Sequence, residues 1–105
     1  MAKPPALSED GYEIQFAVNH LAHALIIKTL LPALLKSASK PNSDVRIVNL
    51  TSAAWRGAPS GGIRFASLNT TQPGFIGHWF RYSQSKLANI VYASELARRY
   101  PEITT

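Results

Sequence analysis

A tyrosine and a lysine stand four positions apart in Tyr82-Ser83-Gln84-Ser85-Lys86. On a helix that spacing puts both side chains on one face. A free phenol keeps its proton at neutral pH, and an ammonium a few ångström away favours the charged form of its neighbour. A Tyr–Lys pair of this kind can therefore exchange a proton with a bound oxygen. A second hydroxyl, Ser52, stands just beyond the apolar run Val45-Arg46-Ile47-Val48-Asn49-Leu50. Strand ends are where α/β proteins keep their chemistry. A serine there can hydrogen-bond a substrate oxygen and share the proton transfer. Thr51 is its immediate rival for that part.

The elements that must carry these groups are legible in the pattern. Pro4-Pro5 marks an extended lead-in, and Ser8 is suited to cap a helix with Glu9 and Asp10 in its first turn. Leu7 and Tyr12 fit a hydrophobic staple. The spacing predicts a helix from Glu9 to Ser37, apolar around most of its circumference, as in a buried helix packed on several sides. Pro32 should kink or divide it. Val45 to Leu50 reads as one short parallel-type strand covered on both faces. Thr51 to Gln72, with Gly57, Pro59, Gly61 and Gly62, reads as a loop holding a turn near Phe65 to Leu68. Gly74 to Gly77 has no strand before it, so it is no phosphate loop, and it leads into a helix from His78 to Tyr100. Arg98 and Arg99 favour the end of that helix and Pro101 stops it. Ile103-Thr104-Thr105 can open another strand. A lone parallel strand leaves backbone groups unpaired on both edges, so its neighbours are expected in a second copy or in further sequence.

The 105 residues allow one domain at most. A composition of 46% hydrophobic and 16% charged residues excludes a disordered chain. The lack of cysteine excludes a disulfide scaffold and a thiolate metal site, and it fits a reducing, cytoplasmic setting. The net charge of +5 is spread along the chain, without the clustered cations and aromatics of a nucleic-acid surface. An anionic cofactor is another reason for such a balance. Leu21 to Leu35, interrupted by His23 and Lys28, falls short of the roughly 20 residues that cross a bilayer, so no membrane span is expected. His20 and His23 lack a third ligand nearby and read as packed or interface residues, with no metal. Trp55 and Trp79 line a cleft or simply pack.

Four segments together are specific. They are Phe16-Ala-Val-Asn19-His20-Leu-Ala-His23, Arg46-Ile-Val-Asn-Leu-Thr-Ser52, Tyr82-Ser-Gln-Ser-Lys86-Leu-Ala-Asn89-Ile and Glu95-Leu-Ala-Arg-Arg99. In order and spacing they resemble the central and active-site segments of the short-chain dehydrogenase/reductase family. They are most like the branch with retinol-dehydrogenase-like and WW-domain-oxidoreductase-like proteins, including many fungal members. The 30 positions between Ser52 and Tyr82 fit that branch. The resemblance covers almost the whole chain.

The resemblance implies an α/β fold: an incomplete Rossmann-like, NAD(P)-binding domain, with residues 1–105 as the central and catalytic segment of a single domain. It implies an NAD(P)-dependent oxidoreductase that interconverts a small-molecule alcohol and a carbonyl. Tyr82 is then the catalytic acid/base, and Lys86 supports it and binds the nicotinamide ribose. Ser52 polarises the substrate oxygen. Asn19 distorts its helix and holds a water in a proton relay to the lysine. Asn19, Tyr82 and Lys86 would contact the cofactor, NADP or NAD, with NADP slightly favoured. The two long helices match a pair that family members use to form homodimers. The family's glycine-rich turn and its ribose-reading residue are not among these residues, so the stretch is expected to be inactive alone. The alternative is a non-catalytic helix-pairing module or pseudoenzyme.

Overall fold

Glu13 starts the first long helix by turning its carboxylate back on the chain. In the computed structural model, which describes residues 4–74 and 76–105, its Oε1 accepts from Gln15 N–H at 3.0 Å and its Oε2 from Phe16 N–H at 2.8 Å. A carboxylate there satisfies N–H groups that no helical carbonyl reaches and meets the positive end of the helix dipole. Helix α1 runs Ile14–Ala38. The expected start at Glu9 under a Ser8 cap is not what forms. Ser8 Oγ accepts from Tyr12 N–H at 3.2 Å, and Ser8 N–H donates to Tyr12 O at 2.7 Å. This closes a turn that holds Gly11 at φ 81, a left-handed conformation open to glycine that a helix cannot pass through. Met1 to Lys3 of the lead-in, and Phe75 in the approach to the second helix, lie outside the described residues.

Within α1 the winding changes once. Ala17–Leu21 is π-helical, and the N–H of Ala22 bonds to Ala17 O, five residues back. Ala22–Ala38 is ordinary α-helix, and Pro32 sits inside it without dividing it. Helix α2 spans Gly77–Arg99, one residue from the expected bounds at each end. Side-chain bonds join the two helices along their length, among them Gln15 Nε2 to His78 O, Asn19 Nδ2 to Ser85 Oγ, His20 Nδ1 with Asn89 Oδ1, and Tyr92 Oη to Ala24 O. Their separations along the chain are 63, 66, 69 and 68 residues. An offset this steady means that α1 and α2 run side by side in the same direction. Phe16, Leu68 and Ala88 form the small apolar core, with Leu21 and Ile63 packed on it.

Residues 45–50 are extended, but no strand longer than an isolated bridge forms among the described residues. The bridge is parallel and joins Arg46 to Thr104. Ile47 N–H donates to Thr104 O at 2.8 Å and Thr104 N–H to Val45 O at 3.0 Å. Ile103–Thr105 thus begins the second extended segment that the pattern suggested. Burial along the run alternates with period two: residues 45, 47 and 49 are half-buried, while 46, 48 and 50 are exposed. Val48 is 89% exposed and Leu50 77%. The expectation of a strand covered on both faces is corrected, because only one face of it carries a layer.

The same correction applies to α1. Ala22–Ala38 has no buried residue, and Leu25 is 64% exposed. By length and composition alone, Ile14–Ala38 is apolar enough to cross a membrane. Its N-terminal part, however, is bonded sideways to α2 through Gln15, Asn19 and His20.

Candidate active site

The first half of α2 is polar and buried, an unusual combination that marks the site. Arg81, Ser83, Gln84, Ser85, Lys86 and Asn89 are all buried, and Tyr82 is half-buried among them. The i, i+4 spacing does bring Tyr82 and Lys86 together. The Lys86 ammonium lies 5.6 Å from the Tyr82 ring centroid, within cation–π range. It also donates to Leu50 O at 3.3 Å. An ammonium has three donors, so donors remain for a ligand. Lys86, Asn19, Asn89 and the residues Ile47 to Leu50 line one cleft of about 230 Å³. On its wall Asn49 Nδ2 is buried without a hydrogen-bond partner.

The two neighbouring hydroxyls are used differently. Thr51 Oγ1 donates to Lys86 O at 2.9 Å, fastening the extended run to α2. Ser52 Oγ accepts from Ala54 N–H at 3.2 Å, capping the 3-10 turn Ala53–Gly57. As an acceptor there it keeps its own O–H proton to donate elsewhere. That turn packs against α2, where an added Cβ on Gly57 would lie 3.1 Å from Ser83 Oγ. No hydrogen bond joins Ser52 to Tyr82, and Tyr82 enters the network through its backbone carbonyl.

Asn19 sits at the centre of the π-helical turn. Such turns recur at functional sites because they leave carbonyls out of the regular ladder. Asn19 Nδ2 donates to Ser85 Oγ at 3.1 Å, and Ser85 Oγ donates to Tyr82 O at 2.7 Å. Asn19 O accepts from Asn89 Nδ2 at 3.1 Å. Asn89, Ser85 and Thr51 are therefore part of the assembly, although spacing alone gave Asn89 and Ser85 no role and offered Thr51 only as a rival to Ser52. The signal was present for two of them. Asn89 lies three residues past Lys86 and Ser85 three past Tyr82, on the same helical face.

A second feature had no signal at all. Glu13 and Arg81 are 0% and 1% exposed and form an ion pair, Oε1 to Nε, at 3.1 Å. Arg81 Nη1 also donates to Gln72 O at 2.8 Å, and Gln84 Nε2 donates to Gln72 Oε1 at 2.8 Å. Gly77 is required beside them, because a Cβ there would lie 2.8 Å from Gln72 O and 3.0 Å from Arg81 Nη1. Arg81 is thus no part of a spread of surface cations. It locks the cap of α1 to the residue before Tyr82.

The remaining candidates have plain settings. His20 packs edge-on against Phe16 and Tyr92, with centroids 5.1 and 5.5 Å away. Burial pushes the Tyr92 phenol above its ordinary range, with Tyr100 adding to the effect. His23 lines the cleft. Among the described residues no group of three or more metal-ligating side chains occurs. Trp55 lies beside Arg56 and Trp79 beside His78, both partly exposed.

No family model matches the chain, and no solved structure matches it. Curated proteins do. Over 100 residues the chain is 43% identical to an uncharacterized oxidoreductase of Schizosaccharomyces pombe, covering 94% of this chain and 29% of that protein. Over 96 residues it is 47% identical to retinol dehydrogenase 14 of Homo sapiens, covering 91% of this chain and 26% of that protein. Over 101 residues it is 39% identical to a short-chain dehydrogenase/reductase of Armillaria gallica, covering 92% of this chain and 31% of that protein. The chain spans under a third of the length of these relatives.

Proposed function

Because this chain belongs to the short-chain dehydrogenase/reductase family, we propose that it is the central, proton-handling segment of a Rossmann-type oxidoreductase acting on a small-molecule alcohol or carbonyl. The observation that carries this reading is the Tyr82–Lys86 pair on one face of α2, with its ammonium against a cleft shared with the π-turn of Asn19.

In the proposal the Tyr82 phenol gives a proton to the carbonyl oxygen in reduction and takes one from the alcohol in oxidation. Lys86 stabilises the charged phenol and holds hydroxyl oxygens of the cofactor with its remaining donors. Ser52 donates a hydrogen bond to the substrate oxygen and keeps its proton. Asn19, tied through Ser85 to the backbone of Tyr82, keeps the two helices in register at the reacting end. A nicotinamide dinucleotide, NADP ahead of NAD, supplies or accepts the hydride when bound. The residues present fit a hydroxyl-bearing ligand. The cleft offers ammonium donors, and its wall carries the unpaired Asn49 Nδ2, whose desolvation is costly until an acceptor meets it. The 105 residues contain no glycine-rich phosphate turn following a strand, so they hold only part of such a cofactor.

The test has two arms. In the longest reading frame that carries these residues, Tyr82→Phe should abolish turnover with NADPH or NADH while cofactor binding survives. Retained turnover overturns the assignment. In fluorescence titration the 105-residue chain alone should show no saturable NADPH binding, and clear saturation would contradict the partial-site reading.

A second reading, a non-catalytic helix-pairing module, is supported by the exposed apolar residues Leu25, Ile26 and Leu30 on α1. A monomer at micromolar concentration in analytical ultracentrifugation would remove that support.

A further inference from the structure

We propose that Asn89 is a positioning residue for Lys86 and for the π-turn of Asn19, and that His20 holds Asn89 in its working orientation. Asn89 Nδ2 donates to two carbonyls, Asn19 O at 3.1 Å and Leu50 O at 3.0 Å. Carbonyls bring no hydrogen, so the amide must turn its NH₂ toward them. Its Oδ1 then faces His20 Nδ1 at 2.9 Å. An amide oxygen cannot donate either, so His20 Nδ1 carries the hydrogen. Phe16 and Tyr92 hold the imidazole edge-on from two sides, so the ring has a fixed direction as well as a fixed tautomer.

The link to Lys86 runs through a shared acceptor. Leu50 O receives both the Lys86 ammonium at 3.3 Å and Asn89 Nδ2 at 3.0 Å, which engages both of its lone pairs. Leu50 lies in the extended run whose ladder contact is at Arg46, four residues away, and its side chain is bare. Thr51, one residue on, holds the backbone of the run to α2, and Asn89 bonds the Leu50 carbonyl itself and aims it at the ammonium. Thr51 fastens the backbone of Lys86 but does not reach its ammonium. Without Asn89 the seat of the ammonium is free to shift, and the Asn19 carbonyl loses its tie to α2. The positioning role rests on the reading of Lys86 as the support of Tyr82, but the clip itself can be tested without turnover.

The experiment is competitive acetylation of the 105-residue chain, read by mass spectrometry, with the exposed Lys28, Lys36 and Lys40 as internal references. Lys86 should react slowly in the native chain. Asn89→Leu should raise its relative rate about fivefold, the population change that one net hydrogen bond controls. His20→Leu should raise it in the same direction, and His20→Asn, which restores a donor at the Nδ1 position, should return it toward the native value. An unchanged Lys86 rate in Asn89→Leu with helix content intact by circular dichroism overturns the proposal. Should Asn89→Leu lose its helix content, the pair of His20 variants decides, and equal rates in both overturn it. The native chain gives an independent reading. Nitrogen-15 shifts of the His20 ring should report the Nδ1–H tautomer, and the Nε2–H tautomer would rule the clip out. An active Tyr82→Phe enzyme would refute the functional reading while leaving these results as they stand.

Discussion

The two ends of the α1–α2 pair are built on opposite plans. At the N-terminal end the helices are joined by charged and amide groups taken out of water: Glu13 with Arg81, Gln15 with His78, Asn19 with Ser85, and Asn89 with Asn19 and His20. At the C-terminal end the contact loosens into a cleft of about 500 Å³, lined by Ala24, Leu25, Leu31, Tyr92, Leu96 and Tyr100 with the charged Lys28, Glu95 and Arg99 at its edge. Leu96 is buried there and Leu31, Tyr92 and Tyr100 half-buried, while Leu25 lies largely in water. Hydrophobic burial is non-directional and tolerates sliding, whereas a satisfied polar network fixes one arrangement. The end that positions Tyr82 and Lys86 is the directional one. The far end mixes half-buried apolar side chains with exposed ion pairs.

The sharpest way to break this comparison is to remove one partner of the buried ion pair. Arg81→Met leaves the Glu13 carboxylate buried and unpaired and should cost about 3–5 kcal/mol in denaturant unfolding. Glu13→Gln keeps an oxygen for the cap and should fall in the same range. A loss below about 1 kcal/mol, the value of an exposed pair, would mean that the near end is not held by charge.

Glu95 offers the contrasting exposed case at the far end. Hydrogen bonds from Arg98 and then Arg99 hold its carboxyl at about 2, below the ordinary 4.5. A lowered carboxylate value in the folded state gives stability that is present above pH 4.5 and is lost as pH falls toward 2. The last turn of α2 should therefore fray across that window, and Glu95→Gln should remove the pH dependence. Helicity followed by circular dichroism between pH 5 and 2 checks it, and a flat profile in the native chain would contradict it. The smallest effect belongs to the bare face of α1. Leu30→Gln should change stability by less than about 0.5 kcal/mol, because Leu30 is already in water. A large loss in thermal unfolding would show that the far end is packed after all.

Much of this could be read from the residues, and the failures are instructive. The two helices, the turn near Phe65 and the pairing role of Ile103 to Thr105 follow local pattern, which sequence carries well. The start of α1 was misplaced because Ser8, Glu9 and Asp10 satisfy every local rule for a cap. Gly11 then takes a left-handed conformation, and Glu13 offers a stronger cap through two bonds. Burial was overestimated for residues 22–38 and 45–50, since apolar pattern reports which face seeks cover and not whether cover arrives. Tyr82 and Lys86 were found through a spacing of four. Glu13 and Arg81 could not be, because nothing local links two charges that meet only when the helices align.

The π-helical turn at Ala17–Leu21 also sets the phase of everything after it. It inserts one residue beyond the regular count, so the stripe docked on α2 before the turn and the stripe facing it afterwards belong to different helical registers. The wide turn advances less per residue than the roughly 100° of an α-helix, and over five residues the shortfall nearly absorbs the extra one. The second half therefore keeps its face toward α2, where Tyr92 Oη reaches Ala24 O. Deleting one residue here would restore a uniform ladder and leave Ala22–Ala38 nearly in place, whereas the same deletion further along would turn everything after it by about 100°.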